Sequence, residues 1–168
     1  MPKIIENVKD RLIAEAKRQT EGNGYAEVTI RSVAKGCGVG VGTVYNYFSS
    51  KDALIATHLL EDWKGCIQTI EGAAASSEDP RPVVRCIYDQ LNGFSRRHEK
   101  IFYDEAAAAS FAGSFSQYHG RLRDQLAQPL ERFCSDGFTA QFLAESLLTW
   151  TMAGKEFDDI YRILQKLF

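Results

Sequence analysis

The chain has 168 residues, 45% of them hydrophobic and 25% charged, with a formal net charge of −2. This is an ordinary globular balance, long enough for one compact unit or two small ones with a real core. No apolar run approaches the roughly 18 residues that cross a bilayer, so no membrane partner is expected. The charge does not by itself announce a nucleic-acid binder, but it is unevenly spread. Residues 1–60 hold eight Lys and Arg against six acids, and the rest of the chain is acidic. A basic start on an acidic body has the sign expected of an N-terminal DNA-binding domain. Glu6, Lys9 and Asp10 interrupt the N-terminus, so no signal peptide is expected and the protein is placed in the cytoplasm.

Ile5, Val8, Leu12 and Ala16 mark a first amphipathic helix over about 4–22, closed by Gly22-Asn23-Gly24. Ile30, Val33 and Ala34 then share one helical face, with Thr29 placed to cap it. Gly36-Cys37-Gly38 stops that helix, and Val39 follows as a plug in the turn. Gly40 is a permissible N-cap for a second helix over 41–48, with Val44 and Phe48 facing inward. Gly42, Thr43, Tyr45, Asn46 and Tyr47 are left outward. The spacing is that of a helix-turn-helix whose second helix has the recognition role.

Ser50 opens a long helix through Leu54, Leu60, Trp63 and Ile67 to about Ala74. Residues 73–80 read as a linker by composition. Asp79-Pro80 starts another helix, carrying Val83, Val84, Ile87, Leu91 and Phe94 to about His98. One short helix is expected over 99–113, and a longer one over 114–135 that Pro129 must kink or break. After the turn Asp136-Gly137, Thr139 is a candidate cap for a helix with Phe142, Leu143, Leu147 and Trp150, ending at Gly154. Phe157, Ile160, Tyr161, Leu164, Leu167 and Phe168 form the stripe of a last helix. No period-two strand pattern or repeat occurs, so the fold is expected to be all-α.

Cys37, Cys66, Cys86 and Cys134 form no C-x-x-C and are expected as buried or half-buried thiols. His58, His98 and His119 show no ligand spacing. No nucleophile elbow, phosphate loop or dinucleotide fingerprint is present, so no enzyme, metal or cofactor is expected.

Thr29-Ile30-Arg31-x-Val33-Ala34, Gly38-Val39, Gly42-Thr43-Val44-Tyr45-x-Tyr47-Phe48 and Ser50-Lys51-Asp52-x-Leu54 carry a further signal. With Leu12, Ala16 and Gly24-Tyr25, they resemble the DNA-binding domain of the TetR family of bacterial transcriptional regulators. The resemblance covers roughly residues 8–60 and leaves the rest uncovered. It implies a helix-turn-helix domain over 1–50 and a helical effector-binding and dimerisation domain over 51–168. Thr20 departs from the aromatic usual there, so Tyr25 and Phe48 are expected to fill that part of the core.

A major groove admits an α-helix flanked by phosphates. Gly40 and Gly42 remove bulk, so the N-terminus of the recognition helix can approach with its free N–H groups. Thr43, Tyr45 and Tyr47 offer hydroxyls and Lys51 a cation. Asn46 suits an adenine edge and Val41 a thymine methyl. Arg31 can reach phosphate or a base, and Thr29 joins it at the start of the preceding helix. The recognition helix has no Lys or Arg, and Gly40-Val41 stands where the family often has Ser-Lys.

One such motif grips too little groove, and dimers span half-sites about 34–36 Å apart. Phe142, Leu147, Trp150, Phe157, Tyr161, Leu164 and Phe168 offer more apolar surface than a small monomer uses. Paired with their symmetry copies they make a four-helix interface, where the family also dimerises. Trp63, Ile67, Phe94, Phe102, Tyr103, Phe111, Phe115, Tyr118 and His119 are candidates for an effector pocket. Arg96, Arg97 and His98 form a short cationic run. The expectation is a homodimeric regulator on a palindromic double-stranded operator, most simply a repressor released by a small molecule. The competing reading is a helical dimeric ligand- or protein-binding module without DNA binding.

Overall fold

A computed structural model describes residues 7–168, with side chains at all of these but 114–116. It is all-α: the described residues hold no strand, and no helix is long and apolar enough to cross a membrane.

Helix α1 spans Val8–Asn23 and buries Leu12, Ile13, Ala16, Gln19 and Thr20. Asn7 sits in the left-handed region at φ 60° and the described helix begins at Val8; the expected start at 4, and with it Ile5, lies outside the described residues. Helix α2 spans Ile30–Cys37. The Ser32 N–H donates to Thr29 Oγ1 at 2.9 Å and the Thr29 N–H donates to Ser32 Oγ at 3.0 Å, a reciprocal cap. Gly38 ends α2 at φ 65°, a conformation an L side chain resists, while the Val39 N–H returns to the Ala34 carbonyl at 3.0 Å.

Helix α3 is Val41–Tyr45, shorter than the expected 41–48. The Tyr47 and Phe48 N–H groups both close on the Val44 carbonyl, at 3.0 and 2.9 Å. A shared acceptor makes a tight turn there and stops the ladder. Phe48 nevertheless stays inside, 4% exposed.

Helix α4 spans Lys51–Ser76, with Ser50 Oγ accepting from the Ala53 N–H at 3.0 Å. The expected linker over 73–80 is helical as far as Ser76, because Ala74 is packed into a core. Helix α5 spans Pro80–Arg97, and Asp79 Oδ1 accepts from the Arg81 N–H at 2.9 Å. The single helix expected over 99–113 is two, α6 (Glu99–Phe102) and α7 (Glu105–Phe111). Asp104 divides them: its Oδ1 accepts from the Ala107 N–H at 2.9 Å and starts α7 afresh.

Helix α8 spans Phe115–Ala127, and the chain tightens into a 3₁₀ helix over Gln128–Phe133, at the proline expected to break it. Helix α9 spans Gly137–Met152. Its cap is Asp136, whose Oδ1 accepts from the Thr139 N–H at 2.8 Å, so Thr139 lies inside the first turn instead of capping it. Helix α10 spans Phe157–Leu164.

The chain forms two compact units. The first takes the chain up to Asp62 together with Arg97–Ala112; the second takes Trp63–Arg96 and Gly113–Phe168. Leu12, Ala16, Tyr25, Val33, Val44, Phe48, Leu54 and Ile101 are among the core of the first. Trp63, Ile70, Ile87, Leu126, Leu130, Leu143 and Leu147 are among the core of the second. The four cysteines are free thiols: Cys37 and Cys66 buried, Cys86 and Cys134 half-buried. Burial pushes the Cys37, Cys86 and Cys134 thiols up, which keeps them protonated.

Candidate nucleic-acid interface

Helix α2 is tied to α1 by polar contacts as well as apolar ones. Arg11 donates to the Cys37 carbonyl at 2.7 Å. Gln19 donates to the Ser32 carbonyl at 3.1 Å and accepts from Ser32 Oγ at 2.6 Å. Helix α3 is short and leans on two anchors, Val44 at 0% and Phe48 at 4% exposure. Burying each contributes about 1.5–3 kcal/mol. With those two pointing inward, helical geometry sends their neighbours out. Tyr45 is 55%, Tyr47 48% and Val41 37% exposed. Gly40, Gly42 and Asn46 are exposed too, and Thr43 is half-buried.

The exposed glycines are not required by packing. A Cβ on Gly42 would meet nothing within 4 Å, and one on Gly40 only Thr43 Oγ1 at 3.9 Å. Gly40 has φ −73°, which any residue adopts. Gly42 even weakens its helix, by about 1 kcal/mol against alanine. Its lack of a side chain is therefore an open approach to the N-terminal turn of α3.

Thr29, Arg31, Val41, Tyr45 and Lys51 come together around one shallow open cleft of about 480 Å³, with Ala26, Val28 and Ile30. Arg31 is exposed at its edge. Lys51 is half-buried and engaged: its Nζ donates to the Tyr25 carbonyl at 2.9 Å and lies 3.8 Å from the Tyr25 ring centre. Tyr25 is a packing residue, 3% exposed, whose hydroxyl donates to Asp52 Oδ1 at 2.5 Å. Burial, then that carboxylate, pushes its phenol up.

The effector candidates do not gather in one unit. Phe102, Tyr103 and Phe111 belong to the first unit, where Tyr103 is 79% exposed and Phe111 packs edge-on against Tyr25. Trp63, Ile67, Phe94, Tyr118 and His119 belong to the second. There Trp63 is buried, packs edge-on against Phe94 at 5.3 Å, and donates to Gln125 at 2.8 Å. His119 pairs with Glu145 at 2.9 Å. The Phe115 side chain lies outside the described residues.

Of the residues read as a dimer face, Leu147, Phe157, Tyr161 and Leu164 are buried in the core of their own unit. Phe142 and Trp150 are exposed, at 49% and 50%, and Phe168 is half-buried. Phe138, at 76%, and Ile163, at 49%, are exposed apolar side chains beside them in sequence.

One cluster escaped the sequence reading. His58 and Asp62 stand one turn apart on α4, and His98 meets them from the residue before α6. The His-x-x-x-Asp spacing was a legible signal. The third member, forty positions on, was not.

Residues 12–57 match the family described as "Bacterial regulatory proteins, tetR family". Over 54 residues the chain is 32% identical to the HTH-type transcriptional regulator UidR of Escherichia coli K12, covering 32% of this chain and 28% of that protein. It is 32% identical over 108 residues to the HTH-type transcriptional regulator BetI of Stenotrophomonas maltophilia, covering 58% of this chain and 54% of BetI. The matched region thus spans at most about half of these relatives. In fold the chain is similar to a TetR-family transcriptional regulator from Pectobacterium atrosepticum. The TM-score is 0.68 at 15% identity, over 94% of this chain and 86% of that one.

Proposed function

We propose that this chain, whose residues 12–57 match the TetR family of bacterial regulatory proteins, is a homodimeric, operator-binding repressor released by a small molecule. The observation that carries the DNA-binding part is the exposed surface Val41–Tyr47, held out by buried Val44 and Phe48 and bare at Gly42. In this reading α3 enters a major groove. Its N-terminal N–H groups and the Thr43, Tyr45 and Tyr47 hydroxyls meet phosphate, and Asn46 and Val41 meet base edges. Arg31 and Thr29 extend the contact from α2, and Lys51 keeps two N–H donors beyond the one it gives Tyr25.

A second copy supplies the second half-site. Phe142 and Trp150 are the dimer contacts of this reading, joined by half-buried Phe168; Leu147, Phe157, Tyr161 and Leu164 shape that face from beneath. The effector binds among Trp63, Ile67, Phe94, Tyr118 and His119 and favours a spacing of the recognition helices that fits the operator poorly. In this reading the protein acts in the cytoplasm.

The test is selection of bound duplexes from a random pool at moderate salt, followed by a salt titration of the winner. A palindrome with half-sites about one helical turn apart and a steep salt slope is expected. No selected sequence from folded dimer, with and without cell metabolites added, would leave the helical ligand-binding module as the correct reading.

A further inference from the structure

Three side chains of the first unit converge. His58 and Asp62 share a face of α4, and His98 closes on them from the N-cap position of α6. One ligand atom from each lies within 4.8 Å of the others. His98 Nε2 stands 3.0 Å from Asp62 Oδ2, and the two imidazole centres are 5.6 Å apart.

The arrangement is buried. His58 and His98 are each 1% exposed, and the Asp62 side chain is 17% exposed. Neither ring nitrogen of His58 has a hydrogen-bond partner. Buried polar atoms are paired in the great majority of cases, since an unpaired one loses its hydration for nothing. A leucine would fill the same space without that penalty. Packing alone therefore does not account for an imidazole here.

We propose that His58, Asp62 and His98 form a binding site for a single divalent transition-metal ion of the zinc–cobalt–nickel class. Two imidazoles and one carboxylate are the donor set such borderline ions take, with a fourth position left for water. Calcium and magnesium prefer all-oxygen sites. The protonation states suit ligation. Burial, then the neighbouring His98, holds His58 down to about 4. Burial also lowers His98, against the opposing pull of Asp62 and Glu21. Burial therefore favours the neutral form of both rings, which has a lone pair to give. Burial raises Asp62, but the hydrogen bond and charge of Lys17, with the histidines, hold it below its ordinary value. Lys17 Nζ takes Asp62 Oδ1 at 2.7 Å, which turns Oδ2 toward the rings. Lys17 is thus the orienting partner behind the carboxylate, and its 36% exposure lets water screen it from the ion. Loaded, the ion would cross-link α4 to the start of α6 within the first unit. None of this depends on DNA binding.

The full-length chain, stripped by a chelator and exchanged out of it, is titrated with Co²⁺ while visible absorption is followed. Zn²⁺ is then added in competition. One Co²⁺ per chain is expected, with ligand-field bands, displacement by Zn²⁺ and a higher melting temperature. Asp62→Asn and His98→Ala should each weaken uptake more than about tenfold. His58→Leu should abolish it while melting, without metal, at or above the wild-type temperature; that stability separates lost ligation from lost folding. Two results would overturn the proposal. One is folded wild-type protein that takes up neither ion. The other is uptake unchanged in His58→Leu, which assigns the ion to other groups such as the thiols.

Discussion

Lys51 lies over Tyr25, its Nζ 3.8 Å from the ring centre and 2.9 Å from the Tyr25 carbonyl oxygen it bonds. The first residue of α4 is thereby fastened to the loop between α1 and α2. Lys51→Met keeps the stem but loses both contacts. A stability loss of about 1–2 kcal/mol is expected in urea unfolding, from the cation–π contact and one charged hydrogen bond. With Lys51 on a phosphate, as proposed, operator binding should also lose about one unit of salt slope. Unchanged stability would show that the contact does not tie these segments together.

Gly36 lies against Glu15. A Cβ there would overlap the Glu15 carboxylate, which Arg18 and Gln19 hold at 2.6 and 2.7 Å. Alanine gains about 1 kcal/mol of helix propensity, but its Cβ displaces the Glu15 carboxylate from both partners. Gly36→Ala should therefore be destabilising. In the Glu15→Ala background the same change should become stabilising, and a double-mutant cycle by chemical denaturation reads the reversal.

The Glu15 carboxyl is held down to about 2 from 4.5, first by the Arg18 hydrogen bond, against burial, then by Gln19 and the Arg18 charge. Its folded-state pKa lies below its unfolded one. The stabilisation is therefore complete above about 4.5 and is lost as pH falls toward about 2. Urea midpoints for Glu15→Gln across that window should fall less steeply than for wild type. Parallel curves would mean that Glu15 is not linked to acid unfolding.

Phe142 and Trp150 are half-exposed on α9, whereas Leu147 on the same helix is fully buried. Phe142→Asp with Trp150→Asp should give a folded monomer in sedimentation, with a circular dichroism spectrum like wild type. Leu147→Ala should instead cost about 2–5 kcal/mol of stability, as a core cavity does. A double variant that stays dimeric would move the interface elsewhere.

Much of this protein was determined within short stretches of its sequence. The caps at Thr29, Ser50 and Asp79, the stop at Gly38 and the break at Pro129 each depend on residues a few positions apart. So does the inward turn of Val44 and Phe48 that leaves Tyr45 and Tyr47 outside. Only the tertiary structure decided what distant residues do to one another. It engaged Lys51 with Tyr25, brought His98 to His58 and Asp62, and gathered Arg97–Ala112 into the first unit. It also divided the C-terminal apolar stripe, burying Leu147, Phe157, Tyr161 and Leu164 and leaving Phe142 and Trp150 in solvent. The reason is physical. Helical periodicity and capping act over one or two turns, so sequence spacing encodes them directly. Which faces then meet depends on how whole helices fill a core, and no local spacing carries that.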